Sequence, residues 1–385
     1  MQRHYFDHNA TTPIDPQVLD AMMPALREVS GNASSIHSFG QDARLLVESA
    51  RLQAADFLRC EPKEVVFTSG GTESDNLAIL GAVRAAAGDR KHVVTTAIEH
   101  PAVLQTCGQL EREGVTVDYL PVGPSGVVDI ADVSAALRPE TVLVSVMHAN
   151  NELGTIQPIA EIAATAHAVG ALFHADAVQS AGKLPLDVDT LGVDLLTISG
   201  HKIYAPKGVG ALYVRKGVEI ESIQFGGRHE RARRPGTENV PGIVGLGAAC
   251  ELASQRLAVE SARQAALRDR LEQAILSQIA NTWVNAAGSP RTPNTTNIGF
   301  GGIEGEPLLI SLDLKGFAVS SGAACSSGAV EPSHVLLAIG LSREQARSCL
   351  RLSIGCGTAA EDVDRFLAVL PAVVERLRAL APAGR

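Results

Sequence analysis

A lysine in this sequence stands where a loop would join two buried strands. Lys202 directly follows Ser199, Gly200 and His201 in the stretch DLLTISGHKIYAPKGVGALYVR (194–215). Apolar runs precede and follow these residues, and short apolar runs bounded by glycine and proline are typical of buried strands. Because lysine is rarely fully buried, a solvated loop lysine is the simpler interpretation. The chemical alternative is an amine held at a strand end for covalent catalysis.

A second stretch, FTSGGTESDN (67–76), leads from a predicted strand through a glycine turn into a predicted helix. Its backbone N–H groups and the Thr72 hydroxyl would present the positive end of a helix to an anion. No Gly-Lys-Ser/Thr follows and GxGxxG is absent, which excludes a Walker A loop and a dinucleotide fingerprint. A simple helix cap made by Thr72 or Ser74 explains the same residues equally well. Both interpretations stay open at this point.

Further polar side chains follow other predicted strands. They lie in TTAIEHPAV (95–103), VMHANNELGTIQPI (146–159) and ALFHADAVQSAGK (171–183), and they are His100, Asn150, Asn151, Asp176 and Gln179. The first of these strands is expected to end at Glu99 and His100, with Pro101 opening a helix. His174 and Asp176 could belong to a metal site, but no third ligand has suitable spacing, so we expect no metal.

Ligands of open α/β sheets collect at the carboxyl ends of the strands. One rim would therefore carry Thr72, His100, Asn151, Asp176, Gln179, Ser199, His201 and Lys202. An anion site, a carboxylate and a lysine together are what pyridoxal phosphate requires. The carboxylate keeps the ring nitrogen protonated, and the lysine forms an imine and later carries a proton.

The elements that must position these groups alternate between short apolar runs and helical periodicity. Strands are predicted at 65–68, 92–96, 115–120, 142–147, 171–174, 195–198 and 209–214, with helices such as 72–87 and 159–169 between them. This alternation predicts βαβ units and a mostly parallel sheet, in which the last two strands form a hairpin and one strand runs antiparallel.

After residue 241 the pattern predicts a second, smaller α/β domain. A helix-rich stretch (about 241–280) is followed by predicted helices near 306–314, 332–338 and 343–347, a final helix at about 359–381, and strands at 294–300, 317–320 and 348–354. The chain of 385 residues is long enough for two such domains.

Composition excludes several classes of partner. The net charge of −9 and the pI near 5.7 argue against nucleic acid. No apolar stretch approaches the roughly 18 residues of a membrane helix, so no membrane partner is expected. The N-terminal MQRHYFDHNATTP lacks the apolar segment of a signal peptide, which favours a cytoplasmic protein.

The cysteines are expected to differ in their chemistry. They are Cys60, Cys107, Cys250, Cys325, Cys349 and Cys356, and no two form a CxxC pair. Cys325 lies in SSGAACSSGAVEP, a run of small residues without apolar periodicity that predicts an exposed loop. The other cysteines adjoin helix or strand patterns and are expected to be structural. Cys325 is therefore the candidate reactive thiol.

Eight stretches, in order along the chain, resemble the cysteine desulfurases of the NifS/IscS type, in the class-V aminotransferase family. They are YFDHNATTPIDP, GNASSIHSFG, FTSGGTESDN, SVMHANNELGTIQPI, HADAVQSAGKLPLDV, SGHKIYAPKGVGALYVR, RRPGTENVPGIVGLG and SSGAACSSGAVEPSHVLLAIGL. The resemblance covers about residues 4 to 370. It implies an α/β fold of the fold type I pyridoxal-phosphate transferases, working as a homodimer. It also implies a large cofactor-binding domain (13–255) and a small domain (1–12 and 256–385).

The resemblance further implies a role for each matching residue. The residues that bind the cofactor would be Gly71, Thr72, His100, Asn151, Asp176, Gln179, Ser199, His201, Lys202 and, from the other subunit, Thr237. Lys202 would hold the cofactor as a Schiff base, and His100 would stack on the ring and move protons. Asn151 and Arg351 would bind the substrate carboxylate. Without the resemblance, Arg351 would be taken for a surface arginine beside a strand.

The implied reaction converts L-cysteine to L-alanine and leaves the sulfur as a persulfide on Cys325. The persulfide would supply an iron–sulfur scaffold protein or a thiolation acceptor, and a transient contact of Cys325 with a cluster is compatible with that role. The alternatives are a selenocysteine lyase, another lyase or aminotransferase of the same fold, and a silent partner in a sulfur relay. Two residues differ from the usual pattern of that family. They are Ala33 in GNASS, where proline is usual, and Pro235 in RRPGT, where serine or alanine would be expected. Neither residue is expected to affect the chemistry.

Overall fold

The structure, a computed structural model, describes residues 3–88, 91–321 and 331–380. Its strands are β1 (His4–Tyr5), β2 (Val65–Thr68), β3 (His92–Thr96), β4 (Thr116–Leu120), β5 (Thr141–Ser145), β6 (Leu172–Asp176), β7 (Leu195–Ser199), β8 (Gly210–Val214), β9 (Thr282–Val284), β10 (Thr295–Phe300), β11 (Phe317–Ala318) and β12 (Cys349–Ser353).

The α-helices of the described residues cover the faces of these strands. They are α1 (Pro16–Arg27), α2 (Ser38–Leu58), α3 (Gly71–Ala85), α4 (Pro101–Arg112), α5 (Ile130–Ala136), α6 (Ile159–His167), α7 (Val188–Leu191), α8 (Val240–Gln278), α9 (Gly305–Asp313), α10 (His334–Ala338), α11 (Arg343–Arg347) and α12 (Ala360–Leu380). In the part of the chain that the structure describes, no helix is both long and apolar enough to cross a membrane.

The central sheet has the strand order β2-β8-β7-β6-β5-β3-β4. Its strands run parallel except β8, which is antiparallel to β7 and to β2. Strand β7 shows why this sheet is buried on both faces, since Leu195 packs in one apolar cluster while Leu196 and Ile198 pack in another. The predicted parallel sheet with one antiparallel strand is confirmed.

A second apolar core lies around a three-stranded antiparallel sheet in which β10 is between β12 and β9. This core also takes Phe6 from the N-terminal segment, where β1 pairs with β11. Helix α8 joins the two cores, because Cys250 packs in the first and Leu271 in the second. The predicted domain boundaries, one of which falls inside α8, stay a prediction.

Two features of the chain differ from the expectation or escaped it. Helix α2 was not predicted because its buried face is largely alanine, which gives weak apolar periodicity. Those alanines let α8 approach closely, since a Cβ added to Gly247 of α8 would lie 2.7 Å from Ala50 Cα. Strand β3 has the predicted bounds 92–96, and the alternative end at Glu99 and His100 is wrong because the strand stops at Thr96. The chain turns there because the buried Glu99 carboxylate accepts hydrogen bonds from Thr96 and from the Met147 N–H.

Candidate active site

A cavity of about 300 Å³ lies at the carboxyl ends of the parallel strands. Its lining includes nine residues predicted from the sequence, namely Gly71, Thr72, His100, Asn151, Asp176, Gln179, Ser199, His201 and Lys202. These residues come from the ends of β2, β3, β5, β6 and β7 or from the turns that follow. The rule that ligand-binding groups collect at strand ends predicted that all of these residues except Gly71 lie together, and they do line one cavity.

Lys202 lies in a short helical turn directly after β7. Its Nζ donates hydrogen bonds to the carbonyl oxygens of Asn9 (2.5 Å) and Ala10 (2.8 Å). Burial and the positive charge of Arg351 lower the pKa of Lys202 to about 8, although the carboxylates of Asp176 and Asp7 oppose this. Lys202 is thus a half-buried amine with an accessible neutral form, which a solvated loop lysine is not.

The glycine turn (69–72) connects β2 to α3 without a side-chain cap. Gly70 is the N-cap residue, and its φ of 152° is a conformation that favours glycine. Neither Thr72 nor Ser74 caps the helix, and the Ser74 hydroxyl instead bonds to the Thr68 hydroxyl at 2.7 Å. The capping interpretation is therefore wrong. The amide groups at the start of α3 stay available for an anion.

Ser199 and His201 face the same region of the cavity as the glycine turn. The Ser199 Oγ is buried and has no hydrogen-bond partner among the residues that the structure describes, and a Cβ on Gly70 would lie 3.7 Å from it. Burial, with the charges of Lys202 and Lys207, lowers the pKa of His201 to about 4. An unpartnered hydroxyl beside a free helix N-terminus is the arrangement that a bound phosphate would satisfy.

Asp176 ends β6 and is only 5% exposed. Its Oδ1 accepts a hydrogen bond from the Val178 N–H at 2.9 Å. Burial raises the pKa of Asp176, while the nearby His100 and Lys202 act to lower it. A carboxylate in this setting is stabilised as an anion by a cation placed in the cavity, such as a protonated ring nitrogen.

His100 is the N-cap of α4, and its Nδ1 accepts a hydrogen bond from the Ala102 N–H at 3.1 Å. Burial lowers the pKa of His100, despite the opposing charge of Asp176. The neutral ring must then carry its proton on Nε2, because Nδ1 is acting as an acceptor. The predicted helix start at Pro101 is confirmed.

The N-terminal segment closes one side of the cavity, which sequence reasoning missed. Gln179 donates from Nε2 to the Asn9 carbonyl at 3.0 Å, and its Oε1 accepts from Lys183 Nζ at 3.1 Å. The same Asn9 carbonyl accepts from Lys202, and the Asn9 side chain donates to the Asn151 carbonyl at 3.1 Å. Asn9 lies within YFDHNATTPIDP but follows no strand of the large sheet, so no strand-end signal marked it.

Arg351 lies on β12 of the three-stranded sheet and is 5% exposed. Its guanidinium donates to Asp7 Oδ1 at 2.6 Å and to the Asn151 carbonyl at 3.0 Å, while its buried Nε has no hydrogen-bond partner within the described part of the chain. Arg351 does not line the cavity itself but is bonded to Asn151, which does. A planar guanidinium with a free donor beside the cavity is suited to a carboxylate.

Comparison with known proteins agrees with this geometry. Residues 4–366 match the family described as "Aminotransferase class-V". A "Cysteine desulfurase" of Trichormus azollae is 50% identical over 378 residues, covering 98% of this chain and 94% of that protein. The chain belongs to the class-V aminotransferases, among the cysteine desulfurases. Enzymes of this family depend on pyridoxal phosphate.

Solved structures of other proteins have the same fold. A "NIFS-LIKE PROTEIN" is 37% identical, with a TM-score of 0.92, covering 98% of this chain and 100% of that one. The structure titled "SspA in complex with cysteine" is 38% identical, with a TM-score of 0.81, covering 91% of this chain and 98% of that one. The predicted fold type I architecture is confirmed.

The cavity of this desulfurase chain fits pyridoxal phosphate. The fit rests on the unpartnered Ser199 hydroxyl, the uncapped start of α3, the buried Asp176 and the Lys202 amine, all in one cavity. These supply a phosphate site, a partner for a ring nitrogen and an amine for an aldehyde. Among the described residues, no group of three His, Cys, Asp or Glu side chains is placed to hold a metal ion.

Two predicted site residues stand apart from the cavity. Thr237 is exposed and does not line the cavity of its own chain. Cys325 lies outside the described residues. Downstream of it, the Ser333 hydroxyl donates to Glu152 at 2.6 Å, and a ring nitrogen of His334 lies 2.9 Å from the Glu99 carbonyl oxygen.

The cysteines that the structure describes are poor nucleophiles. Burial raises the pKa of each one, to about 12 for Cys60, Cys107 and Cys349, and in the same direction for Cys250 and Cys356. A thiol with a raised pKa is almost fully protonated at neutral pH, and only the thiolate attacks sulfur. Their expected structural role agrees with this setting.

A second carboxylic acid, Asp75, also lines the cavity and was not singled out from the sequence. Burial and the charge of Asp176 raise its pKa well above the ordinary value, and His174 Nε2 lies 3.7 Å from its Oδ1. This setting favours the protonated form of Asp75 beside Asp176. The signal that could have found it is its position three residues after Thr72 on α3, on the helix turn that faces the cavity.

Proposed function

We propose that this desulfurase converts L-cysteine to L-alanine with Lys202 and His100 as proton carriers, and that it holds the sulfur as a persulfide of Cys325. The observation that carries the proposal is one cavity that combines Lys202, Asp176, His100 and an open anion site. The chain is similar to SspA, for which a solved structure is described as a complex with cysteine. This similarity supports cysteine as the substrate.

Pyridoxal phosphate, when bound, supplies an aldehyde that condenses with amines and a ring that accepts an electron pair. The phosphate would be held by Gly71, Thr72, Ser199 and His201, and the ring by Asp176, Gln179, His100 and Asn151. Asp176 serves as the anionic partner of the ring nitrogen. Because it is buried, its charge is not weakened by water, so it favours the protonated ring.

Lys202 gives up its hydrogen bonds to the backbone when it reacts, and it moves the first proton. Its amine is released from the Asn9 and Ala10 carbonyls when it reacts. A pKa of about 8 leaves a useful fraction of the amine neutral near neutral pH, so Nζ can take a proton from the substrate α-carbon. A solvated lysine would keep far less neutral amine at the same pH.

His100 moves a proton at Nε2, since its Nδ1 is engaged with the backbone of α4. Its lowered pKa keeps the ring neutral, so His100 can accept a proton and return it. The substrate carboxylate would be held by Asn151 and Arg351. Binding there places the amino acid between the two sheets that supply the site.

The sulfur leaves by attack of the Cys325 thiolate on the sulfur of the substrate. An S–S bond forms, the substrate C–S bond breaks, and its electron pair stays with the carbon skeleton, which takes up protons to become alanine. The overall exchange converts a thiol and cysteine into a persulfide and alanine, so no external oxidant is needed. Cys325 is assigned this step because the cysteines that the structure describes are partly or fully buried thiols with raised pKa values.

We also propose a homodimer in which Thr237 reaches the cofactor phosphate of the other subunit. Its exposure, outside the cavity of its own chain, supports this arrangement. The sulfur acceptor would be an iron–sulfur scaffold protein or a protein that delivers sulfur for thiolation. Free cysteines throughout the described residues support a reducing, cytoplasmic location.

The proposal is tested with the purified protein and added pyridoxal phosphate. We expect absorbance near the visible edge that borohydride abolishes, and formation of alanine from L-cysteine in amounts that match the sulfur released by a reductant. L-selenocysteine serves as the competing substrate. Cleavage of L-selenocysteine with no alanine formed from L-cysteine would make the protein a selenocysteine lyase, and absence of both reactions would contradict the proposal.

A further inference from the structure

A segment after β8 contains consecutive residues in an unusual backbone conformation. We call residues 224–237 the strap. Within it, Glu230, Arg231 and Ala232 have φ values of 42°, 57° and 63°. Residues with a side chain seldom adopt the left-handed region in succession, so contacts with the rest of the molecule must hold this conformation.

The first contact is a buried ion pair between the strap and α2. Arg51 donates from Nη1 to Glu230 Oε2 at 2.8 Å and from Nη2 to Oε1 at 2.7 Å. The two side chains are only 5% and 3% exposed. A bidentate pair of this kind fixes orientation as well as distance.

This ion pair also completes the edge of the large sheet. Strand β2 is the edge strand, and its outward backbone groups need partners. The Phe67 N–H donates to Glu230 Oε2 at 2.9 Å, and Arg51 Nη1 donates to the Val65 carbonyl at 2.9 Å. Glu230 thus attaches the strap to the strand that leads directly into the glycine turn.

A second carboxylate attaches the strap to the other side of the glycine turn. Glu73, in the first turn of α3, accepts from Arg234 Nε at 2.8 Å and from Gln224 Nε2 at 3.1 Å, both in the strap. Its Oε2 accepts from the Ser69 N–H at 2.6 Å. Although burial acts to raise it, these hydrogen bonds lower the pKa of Glu73, which keeps the carboxylate charged.

We propose that Glu230 and Glu73 are positioning residues that lock the glycine turn through the strap and so set how long the cofactor phosphate is retained. The inference rests on the proposed function, because it assigns the phosphate to that turn. Neither side chain lines the cavity, so neither touches the cofactor. They act by fixing Phe67 and Ser69, the residues on either side of Thr68 just before the two glycines.

The experiment measures the rate at which holoenzyme loses cofactor after transfer to cofactor-free buffer, followed by its borohydride-reducible absorbance. We expect Glu230→Gln to accelerate this loss about tenfold or more, since a charge-assisted bidentate contact is removed. Glu73→Gln should accelerate it about threefold to tenfold. Turnover at saturating cofactor should stay within about threefold of wild type, because no reacting group changes.

Glu272→Gln is the matched control. Glu272 forms a similarly bidentate pair with Arg291, at 2.6 and 3.1 Å, remote from the glycine turn. It should lower thermal stability without changing the rate of cofactor loss. If Glu230→Gln fails to fold because the buried Arg51 loses its charged partner in the strap, Glu73→Gln alone decides.

The inference is overturned if the Glu230 and Glu73 variants that fold lose cofactor no faster than wild type, or no faster than Glu272→Gln. Failure of the proposed function would look different. In that case the wild-type protein itself would show no borohydride-reducible absorbance, and there would be no dissociation rate to compare.

Discussion

The seven-stranded sheet and the three-stranded sheet contribute to the same site in different ways. The large sheet supplies Lys202, Asp176 and His100 from the ends of parallel strands and the turns after them. The small sheet supplies Arg351 from the middle of β12, where it is held by Asp7 of the N-terminal segment. The large sheet therefore carries the groups suited to covalent and proton chemistry, and the small sheet carries the group suited to recognising a carboxylate.

The difference shows that the strand-end rule of α/β folds explains the positions of only some of the site residues. The carboxyl ends of parallel strands lie at the same edge of a sheet. Side chains at these ends are therefore close together even when they are distant in the sequence. No such rule brings a mid-strand arginine of an antiparallel sheet to that edge. Arg351 is instead held by long-range contacts, because its guanidinium donates to the Asn151 carbonyl and to Asp7, which follows β1.

The largest expected effect lies on the large sheet. Lys202→Ala should reduce alanine formation by at least on the order of a thousandfold, because the amine that condenses and moves the proton is lost. Peptide mapping after borohydride reduction checks the attachment site, with the exposed Lys207→Ala as control. A reducible chromophore in the Lys202 variant, attached to another lysine, would show that the assignment is wrong.

The two acidic groups of the cavity should differ strongly. Asp176→Asn should slow exchange of the substrate α-proton by on the order of a hundredfold, since a neutral amide cannot hold the ring nitrogen proton. Asp75→Asn should change it by less than about tenfold, because burial and the charge of Asp176 raise the pKa of Asp75 and so favour its protonated form, which carries no charge to remove. Deuterium exchange at the α-carbon measures both, and equal losses would contradict the assignment of Asp176.

Substitution of Arg351 on the small sheet should change substrate binding more than the rate of the chemical step. Arg351→Lys should raise KM for L-cysteine about tenfold or more and change kcat by only a few-fold, because lysine cannot make the bidentate contact. Steady-state kinetics check this, with Arg291→Lys as a control for loss of a partly buried arginine. A fall in kcat at unchanged KM would place Arg351 in the chemical step and remove the contrast between the sheets.

The smallest effect is the pH dependence of cofactor attachment. The pKa of Lys202 is lowered to about 8, and only the neutral amine condenses with an aldehyde. The neutral fraction should thus rise about tenfold between pH 7 and pH 9 and then level off. Stopped-flow absorbance on the cofactor-free protein measures the rate, with a free lysine derivative as control. A rate that keeps rising above pH 9, as for an ordinary lysine, would contradict the shift.

Much of the large sheet and its cavity could be predicted from the sequence. The strands β2 and β3 could be predicted because both are buried on two faces. Each is therefore a short run, rich in β-branched residues, without the alternation of a half-exposed strand. The turn after β7 could likewise be placed because glycine and a strand end mark it. The rest needed contacts between distant segments, such as Asn9 with Lys202.

Other features left no local signal in the sequence. Helix α2 buries mainly alanine, so its apolar face is weak in any pattern of hydrophobic residues. Asp75 and Glu230 look like ordinary surface acids in sequence, and only burial beside Asp176 and Arg51 distinguishes them. Arg351 and Thr237 were predicted only through the resemblance to desulfurases, because strand-end reasoning does not apply to them.

The most direct test of the central claim is where the sulfur goes. Wild-type protein incubated with L-cysteine and no reductant should gain one sulfur on the tryptic peptide 316–343, in which Cys325 is the only cysteine. Cys325→Ser should still exchange the substrate α-proton while alanine falls to background, because a hydroxyl is a far poorer nucleophile toward sulfur. Sulfur gained instead on a peptide with Cys356 or another of the described cysteines, or ordinary alanine output from Cys325→Ser, would contradict the account.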